Sequence, residues 1–350
     1  MEPAGSGRNG AVESMVGIKD VARQAGVSVG TVSNVINRPD LVSEETRTRV
    51  QSVISKLGYI RSESARQLRA GASRIVALLV LDMGNPFFVD VAKGAERAAR
   101  QAGLGVMVCN SAQSTSEEVE YLSLFAEQRV RGVLVTPADP TGHSLDGLRR
   151  QRIPYVLVDR VSADAAACSV SVDDVAGGRL AAHHLIAAGH TSLVYVGGPR
   201  DLPQVRDRRA GALAALEEAG LPAEALTEIS AERLDVSAGR DAGARLLGLA
   251  PRPTAVFCAN DLLALGVLQA VFAARISVPE QMAIVGYDDI EFAAAAAVPL
   301  TSVRQPAVAM GRLAAEMLME ETSGDAEGHE HRQVVLQPEL VVRGSSLTPH

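Results

Sequence analysis

Three apolar runs in this sequence close on paired polar groups: VLVDR on Asp159 and Arg160, FCAND on Asn260 and Asp261, and VGYDD on Asp288 and Asp289. A carboxylate, an amide and a guanidinium can each engage a ligand at two points at once, as the vicinal hydroxyls of a small polyol require. A second polar set has different chemistry. In SVGTVSNVIN, Ser28, Thr31, Ser33, Asn34 and Asn37 bring hydroxyls and amides onto one short helical stretch that opens with Val29 and Gly30. Small hydroxyls suit phosphate oxygens, an Asn amide can pair with adenine N6 and N7, and an apolar group can meet a thymine methyl. The sequence is read as offering no nucleophile elbow, P-loop or dinucleotide fingerprint entering a helix, so paired carboxylates alone do not make it a hydrolase.

The net charge of -7 argues against a polyanionic partner until its distribution is examined. Residues 17 to 70 hold nine Lys and Arg against five acids, a local +4 that leaves -11 for the rest of the chain. A small basic module therefore precedes an acidic bulk. Cys109, Cys168 and Cys258 lie far apart in apolar runs without a C-x-x-C, and are read as reduced thiols of a cytoplasmic protein. His329 and His331 in GHEH are read as loop residues, and no metal or cofactor is expected. Neither an export signal nor an apolar run long enough for a membrane is seen.

These groups must be positioned by regular elements. From Gly17 to Tyr59 the apolar spacing is helical, broken at Gly26 and stopped at Gly58. Ser28 is placed as the N-cap of a second helix with Val32 and Ile36 inward, and Ser43 as the N-cap of a third. From Arg74 strands and helices alternate: RIVALLVLD, LGVMVCN, RGVLVTP, PYVLVD, CSVSVD, SLVYVGGP, TAVFCAN and MAIVGYDD, with helical stretches at 86–101, 175–188, 208–219 and 261–274. Alternation of this kind predicts doubly wound parallel sheets. So many strands fit two similar halves better than one sheet, the halves meeting near Val172 and Asp173. Ligands then bind at the carboxyl ends of the strands, between the halves.

Residues 18–59, IKDVARQAGVSVGTVSNVINRPDLVSEETRTRVQSVISKLGY, resemble the DNA-binding headpiece of the LacI/GalR family of bacterial transcriptional regulators almost without gaps. The resemblance implies a helix-turn-helix whose second helix reads the major groove. Val29, Gly30 and Asn34 then take base-reading positions, Thr31 and Ser33 meet phosphate, and Ser28 and Asn37 complete the contact set. SESARQLRA (62–70) resembles the family's hinge helix, in which Leu68, beside the small Ala65, would wedge into the minor groove. From about Arg74 to Arg343 the chain resembles the family's periplasmic-binding-protein-like core, through LVLDMGNPFFVDVAKGAE, HLIAAGHTSLVYVGGP, CANDLLALGVLQA and IVGYDDIEFAAAAAVPLTSVRQP. Positional match points to Asp82, Phe87, Asp159, Arg208, Asn260 and Asp288 as effector contacts, with Arg160 and Gln305 next. Ala212 stands where the family often has an aromatic residue, which weakens ring stacking from that side.

The expected organisation is a disordered arm (1–16), the helix-turn-helix domain (17–61), a hinge (62–73) and an effector-binding and dimerisation domain (74–345). Its first half takes 74–172 and 302–328, its second 173–301 and 330–345. The implied function is a ligand-responsive repressor of carbohydrate-metabolism genes. A homodimer would bind a near-palindromic operator on double-stranded DNA, and a sugar or sugar derivative in the crevice would shift that affinity, with a nucleobase or other metabolite as the alternative effector. No appended heptad helix precedes His350, which favours a dimer over a tetramer. A solute-binding protein for transport would share the core but should carry an export signal and lack the basic module. An enzyme would need a catalytic constellation that the sequence does not offer.

Overall fold

Glycine and serine punctuation sets the first helices. In the computed structural model, which describes residues 16–59, 73–139, 141–162, 166–323 and 329–347, α1 spans Ile18–Ala25 and ends on Gly26 at φ 65°, where an L side chain would be strained. Ser28 Oγ accepts from the Thr31 N–H at 3.0 Å and starts α2, Val29–Asn37. The third helix, α3 (Glu44–Leu57), ends on Gly58 at φ 61°. Ser43 does precede it, but its hydroxyl donates to Thr46 Oγ1 rather than accepting from the helix backbone. Val21, Ala22, Ala25, Val32, Val35 and Val50 form the shared core, so the buried pair on α2 is Val32 and Val35, with Ile36 only half-buried.

This small unit lies within Met1–Ala72, and a second unit comprises Ser73–His350. Residues 1–15 of the expected arm and 60–72, with Ala65 and Leu68 of the expected hinge, lie outside the described residues.

In the larger unit, runs of Val, Leu and Ile become strands because helices cover both faces of each sheet. The first sheet is built from β1 (Ile75–Val80), β2 (Gly105–Asn110), β3 (Gly132–Val135), β4 (Tyr155–Val158), β5 (Cys168–Val172) and the late strand β11 (Gln333–Leu336), in the order β11-β5-β4-β3-β1-β2. All of its pairings are parallel. The second sheet comprises β6 (Leu193–Gly197), β7 (Leu226–Ser230), β8 (Ala255–Cys258), β9 (Ala283–Asp288), β10 (Thr301–Arg304) and β12 (Glu339–Val341), in the order β12-β10-β9-β8-β6-β7. Only β12 runs antiparallel to its neighbour.

The chain passes between sheets after β5, after β10 and between β11 and β12. The expected boundaries shift accordingly. Residues 302–304 stay with the second sheet because β10 pairs with β9, and 333–336 return to the first because β11 pairs with β5.

The connecting helices are α4 (Pro86–Gln101), α5 (Thr115–Glu127), α6 (Asp146–Gln151), α7 (Asp174–Ala187), α8 (Pro203–Glu218), α9 (Val236–Leu247), α10 (Asp261–Ala273), α11 (Glu291–Ala295) and α12 (Ala307–Glu321). α8 begins at Pro203, a turn before the expected 208, since Pro at the first helical position costs no hydrogen bond. α7 meets α8 backbone to backbone: a Cβ on Gly178 would stand 1.9 Å from the Arg208 carbonyl oxygen, and one on Gly211 2.0 Å from that of Val175. No helix among the described residues is long and apolar enough to cross a membrane.

Candidate functional site

The two sheets present their carboxyl ends to one crevice. Asp82, Asn85 and Phe87 follow β1, Gln113 follows β2 and Asp159 follows β4; from the other half come Leu202 after β6, Leu234 after β7, Asn260 after β8, Asp288 at the end of β9 and Gln305 after β10. Gln204 and Arg208, one turn apart on α8, complete the polar lining of a recess of about 490 Å³ that is partly open to solvent.

Arg208 organises the electrostatics. Its Nε donates to Asp174 Oδ1 at 2.8 Å and its Nη1 to the Ala259 carbonyl at 2.7 Å, while its guanidinium lies 3.8 Å from the Tyr287 ring centroid. Nη1 is also 4.0 Å from Asp288 Oδ1. Burial alone would disfavour this cation, but Asp174, Tyr287 and Asp288 around it hold its pKa well above the ordinary value.

Asp288 accepts from Asn85 Nδ2 at 2.9 Å and from Gln305 Nε2 at 2.7 Å, so one carboxylate joins a residue of the first half to one at a crossover. Its backbone sits at φ 104°, and Asp159 at φ 57°, conformations rarely adopted by residues with a side chain. Asp159 accepts from Gln204 Nε2 at its carbonyl (2.8 Å) and at Oδ2 (3.0 Å), while Oδ1 is buried without a hydrogen-bond partner. Burial, reinforced by the Asp174 charge, pushes the Asp159 pKa up to about 8. Burial also raises Asp288, opposed by Arg208, Asn85 and Gln305. The donors and acceptors of the crevice are thus satisfied largely by one another across it. A polar ligand would exchange these bonds for its own.

Of the residues singled out in the sequence, Asp82, Phe87, Asp159, Arg208, Asn260, Asp288 and Gln305 line this recess. Arg160 does not: its guanidinium turns to the Asp139 carbonyl at 3.3 Å. Asn260 Oδ1 caps α10 through the Leu263 N–H, and its Nδ2 donates to the Leu234 carbonyl. Asp289 faces away and pairs with Arg304 and Arg343. Sequence reasoning missed Asn85, Gln113 and Gln204. Asn85 was legible as the N-cap before Pro86, and Gln204 as the residue one turn before Arg208 once α8 begins at Pro203.

On α2, Ser28, Val29, Gly30, Asn34 and Asn37 are exposed and Thr31 and Ser33 half-buried. Ser28 Oγ lies 2.9 Å from Thr31 Oγ1, and Asn37 Nδ2 donates to the Ser33 carbonyl at 2.8 Å. The string GVSVG at 26–30 does carry the spacing of a nucleophile elbow, contrary to the reading that none is offered, but it joins two helices rather than a strand and a helix, and Ser28 is a helix cap. A second correction concerns Cys168. Although no histidine stands near it in sequence, His329 and His331, read only as loop residues, reach it from the segment before β11.

Paired parallel sheets with a polar crevice define a periplasmic-binding-protein-like core, and residues 182–346 match the periplasmic binding protein-like domain. Residues 17–62 match the bacterial regulatory proteins of the lacI family. The HTH-type transcriptional repressor PurR of Photobacterium profundum is 33% identical over 95% of this chain and 98% of its own length. The ribose operon repressor of Escherichia coli (strain K12) is 34% identical over 95% and 100%. A structure of the transcriptional regulator CelR in complex with cellobiose aligns with a TM-score of 0.69 at 32% identity, over 95% of this chain and 100% of that one. The chain belongs to the lacI family and is a ligand-responsive, DNA-binding transcriptional repressor.

Proposed function

We propose that the effector is a small polyhydroxylated molecule, a sugar or sugar derivative, bound between the two halves of the larger unit by Asp82, Asn85, Asp159, Gln204, Arg208, Asn260, Asp288 and Gln305. The observation that carries this reading is the Asp288 carboxylate, held at φ 104° between Asn85, Gln305 and Arg208. Carboxylate, amide and guanidinium converging within one recess match adjacent hydroxyls. Relatives named for ribose and complexed with cellobiose support the sugar class. Among the described residues the aromatic side chains lining the recess are Phe87 and Phe88, which come from the same helix and pack edge to face at 5.0 Å, so they offer no pair of rings across the crevice as a flat base would favour.

The chain acts as a homodimer on a near-palindromic operator in the cytoplasm and catalyses no reaction. Val29, Gly30 and Asn34 meet base edges, and Ser28, Thr31, Ser33 and Asn37 meet the backbone; Ala65 and Leu68 act in the minor groove. Closure of the crevice on effector alters the spacing or order of the DNA-contacting parts. The test is a thermal-shift screen of sugars, sugar phosphates and nucleobases, repeated with Asp288→Ala. A sugar whose stabilising shift disappears in the variant is the expected result. A hit indifferent to the change would remove Asp288 from the site, and a nucleobase hit would overturn the sugar class.

A further inference from the structure

A cluster of soft and borderline ligands lies at the other end of the first sheet, away from the crevice. Cys168 opens β5, Glu321 closes α12, and His329 and His331 precede β11. Cys168 Sγ is 3.2 Å from His329 Nε2 and 3.8 Å from His331 Nδ1, while Glu321 Oε2 is 3.9 Å from His329 Nε2. One ligand atom from each of the four residues lies within 4.8 Å of all the others. With zinc bonds of about 2.3 Å to sulfur and about 2.0–2.1 Å to nitrogen or oxygen, the edges of a tetrahedral site come to about 3.3–3.6 Å. The distances observed bracket that edge.

We propose that Cys168, Glu321, His329 and His331 form a binding site for a divalent transition-metal ion of the zinc type. Two further observations point the same way. Glu321 Oε2 is buried and makes no hydrogen bond, so an acceptor is directed into the cluster with His329 Nε2, at 3.9 Å, beyond hydrogen-bond distance. The Arg332 N–H approaches Cys168 Sγ at 3.4 Å, the kind of contact that supports a ligating thiolate from outside the ligand set. The ligand chemistry selects the ion. Thiolate and imidazole suit zinc and its neighbours, whereas magnesium and calcium require oxygen donors throughout.

Such an ion would tie β5 to the end of α12 and the approach to β11, which lie much later in the sequence. β5 and β11 already pair at this point, the Ser169 N–H bonding the Arg332 carbonyl at 2.9 Å, and Arg332 pairs with Glu320 on α12. Bound metal would add a cross-link between the end of α12 and the edge of the sheet on which that helix packs.

The experiment uses the tag-free full chain stripped with EDTA and titrated with Zn²⁺ against a chromophoric chelator, and with Co²⁺ as spectroscopic probe. The expected result is one ion per chain, a thiolate-to-cobalt charge-transfer band in the near ultraviolet and the intense visible bands of four-coordinate cobalt. Cys168→Ser removes the charge-transfer band. His331→Ala, at an exposed ring whose loss leaves the fold intact, weakens zinc binding by about 100-fold or more. His183→Ala, at a surface ion pair with Glu218 elsewhere, leaves affinity unchanged. Cobalt bound without a sulfur band, or zinc affinity unaltered by His331→Ala, overturns the site. If the serine variant fails to fold, the His331→Ala titration decides the question alone.

Discussion

Arg208 and Asp159 carry opposite liabilities in the same crevice. Arg208 is buried beside Asp174 and Asp288, and removing the cation would leave those two carboxylates uncompensated. Arg208→Met should therefore destabilise the larger unit by about 3–5 kcal/mol in urea titrations, with a smaller loss at acidic pH where the acids take up protons. A loss unchanged between acidic and neutral pH would mean the arginine acts through packing rather than charge. Asp159 works in the other direction. Its folded-state pKa is raised to about 8 by burial and the Asp174 charge, against about 3.9 for an unfolded Asp. The group's contribution to stability is fully present below about pH 4 and is lost as the pH rises through 8. Asp159→Asn abolishes that dependence, so calorimetric Tm should fall less between pH 5 and 8.5 in the variant than in the parent chain. Parallel curves would show that Asp159 titrates normally.

At the scale of elements, legibility followed burial and length. β1, β8 and β9 were readable because their runs are almost wholly apolar and buried on both faces, and α4 because Asn85-Pro86 announces its start. β7, β11 and β12 were not, since they are partly exposed strands of three to five residues at sheet edges, whose apolar runs are no longer than about three residues. Asp82, Asp159, Asn260, Asp288 and Gln305 were readable because they end or directly follow strands, whereas Phe87 and Arg208 lie on helices and were reached only through the family resemblance. Gln204 was hidden because its position depends on where α8 begins, and Cys168 with His329 and His331 because only the β5–β11 pairing unites them. The glycine contacts between α7 and α8 give this scale its own test. α8 carries both Gln204 and Arg208, and Gly211 lies one turn beyond Arg208 against the Val175 carbonyl. Gly211→Ala forces the helices apart, so we expect about 1–3 kcal/mol of lost stability together with weaker effector binding. Full effector affinity in the variant would show that α8 can shift without moving its polar side chains. In the smaller unit, Ser28→Ala removes the α2 cap and should cost about 1 kcal/mol in thermal unfolding of the headpiece.

For the whole molecule, charge and linkage set the expectations. A basic segment of net +4 stands in a chain whose remaining residues sum to -11, so DNA affinity must come from local cation–phosphate contacts and should fall about a thousandfold or more between about 50 and 200 mM salt. Binding insensitive to salt would remove the basic segment from the interface. The response to effector is more constrained than the affinity itself. If a ligand in the crevice changes operator affinity by some factor, the operator must change affinity for that ligand by the same factor, because both describe one thermodynamic cycle. The measurement is a pair of titrations under one buffer: operator DNA with and without saturating effector, and effector with and without saturating operator. Equal ratios, both abolished by Asp288→Ala, are expected if the crevice is the controlling site. An operator response that survives the variant while the crevice no longer binds effector would assign control to a second ligand site and strip Asp288 of its part in the switch.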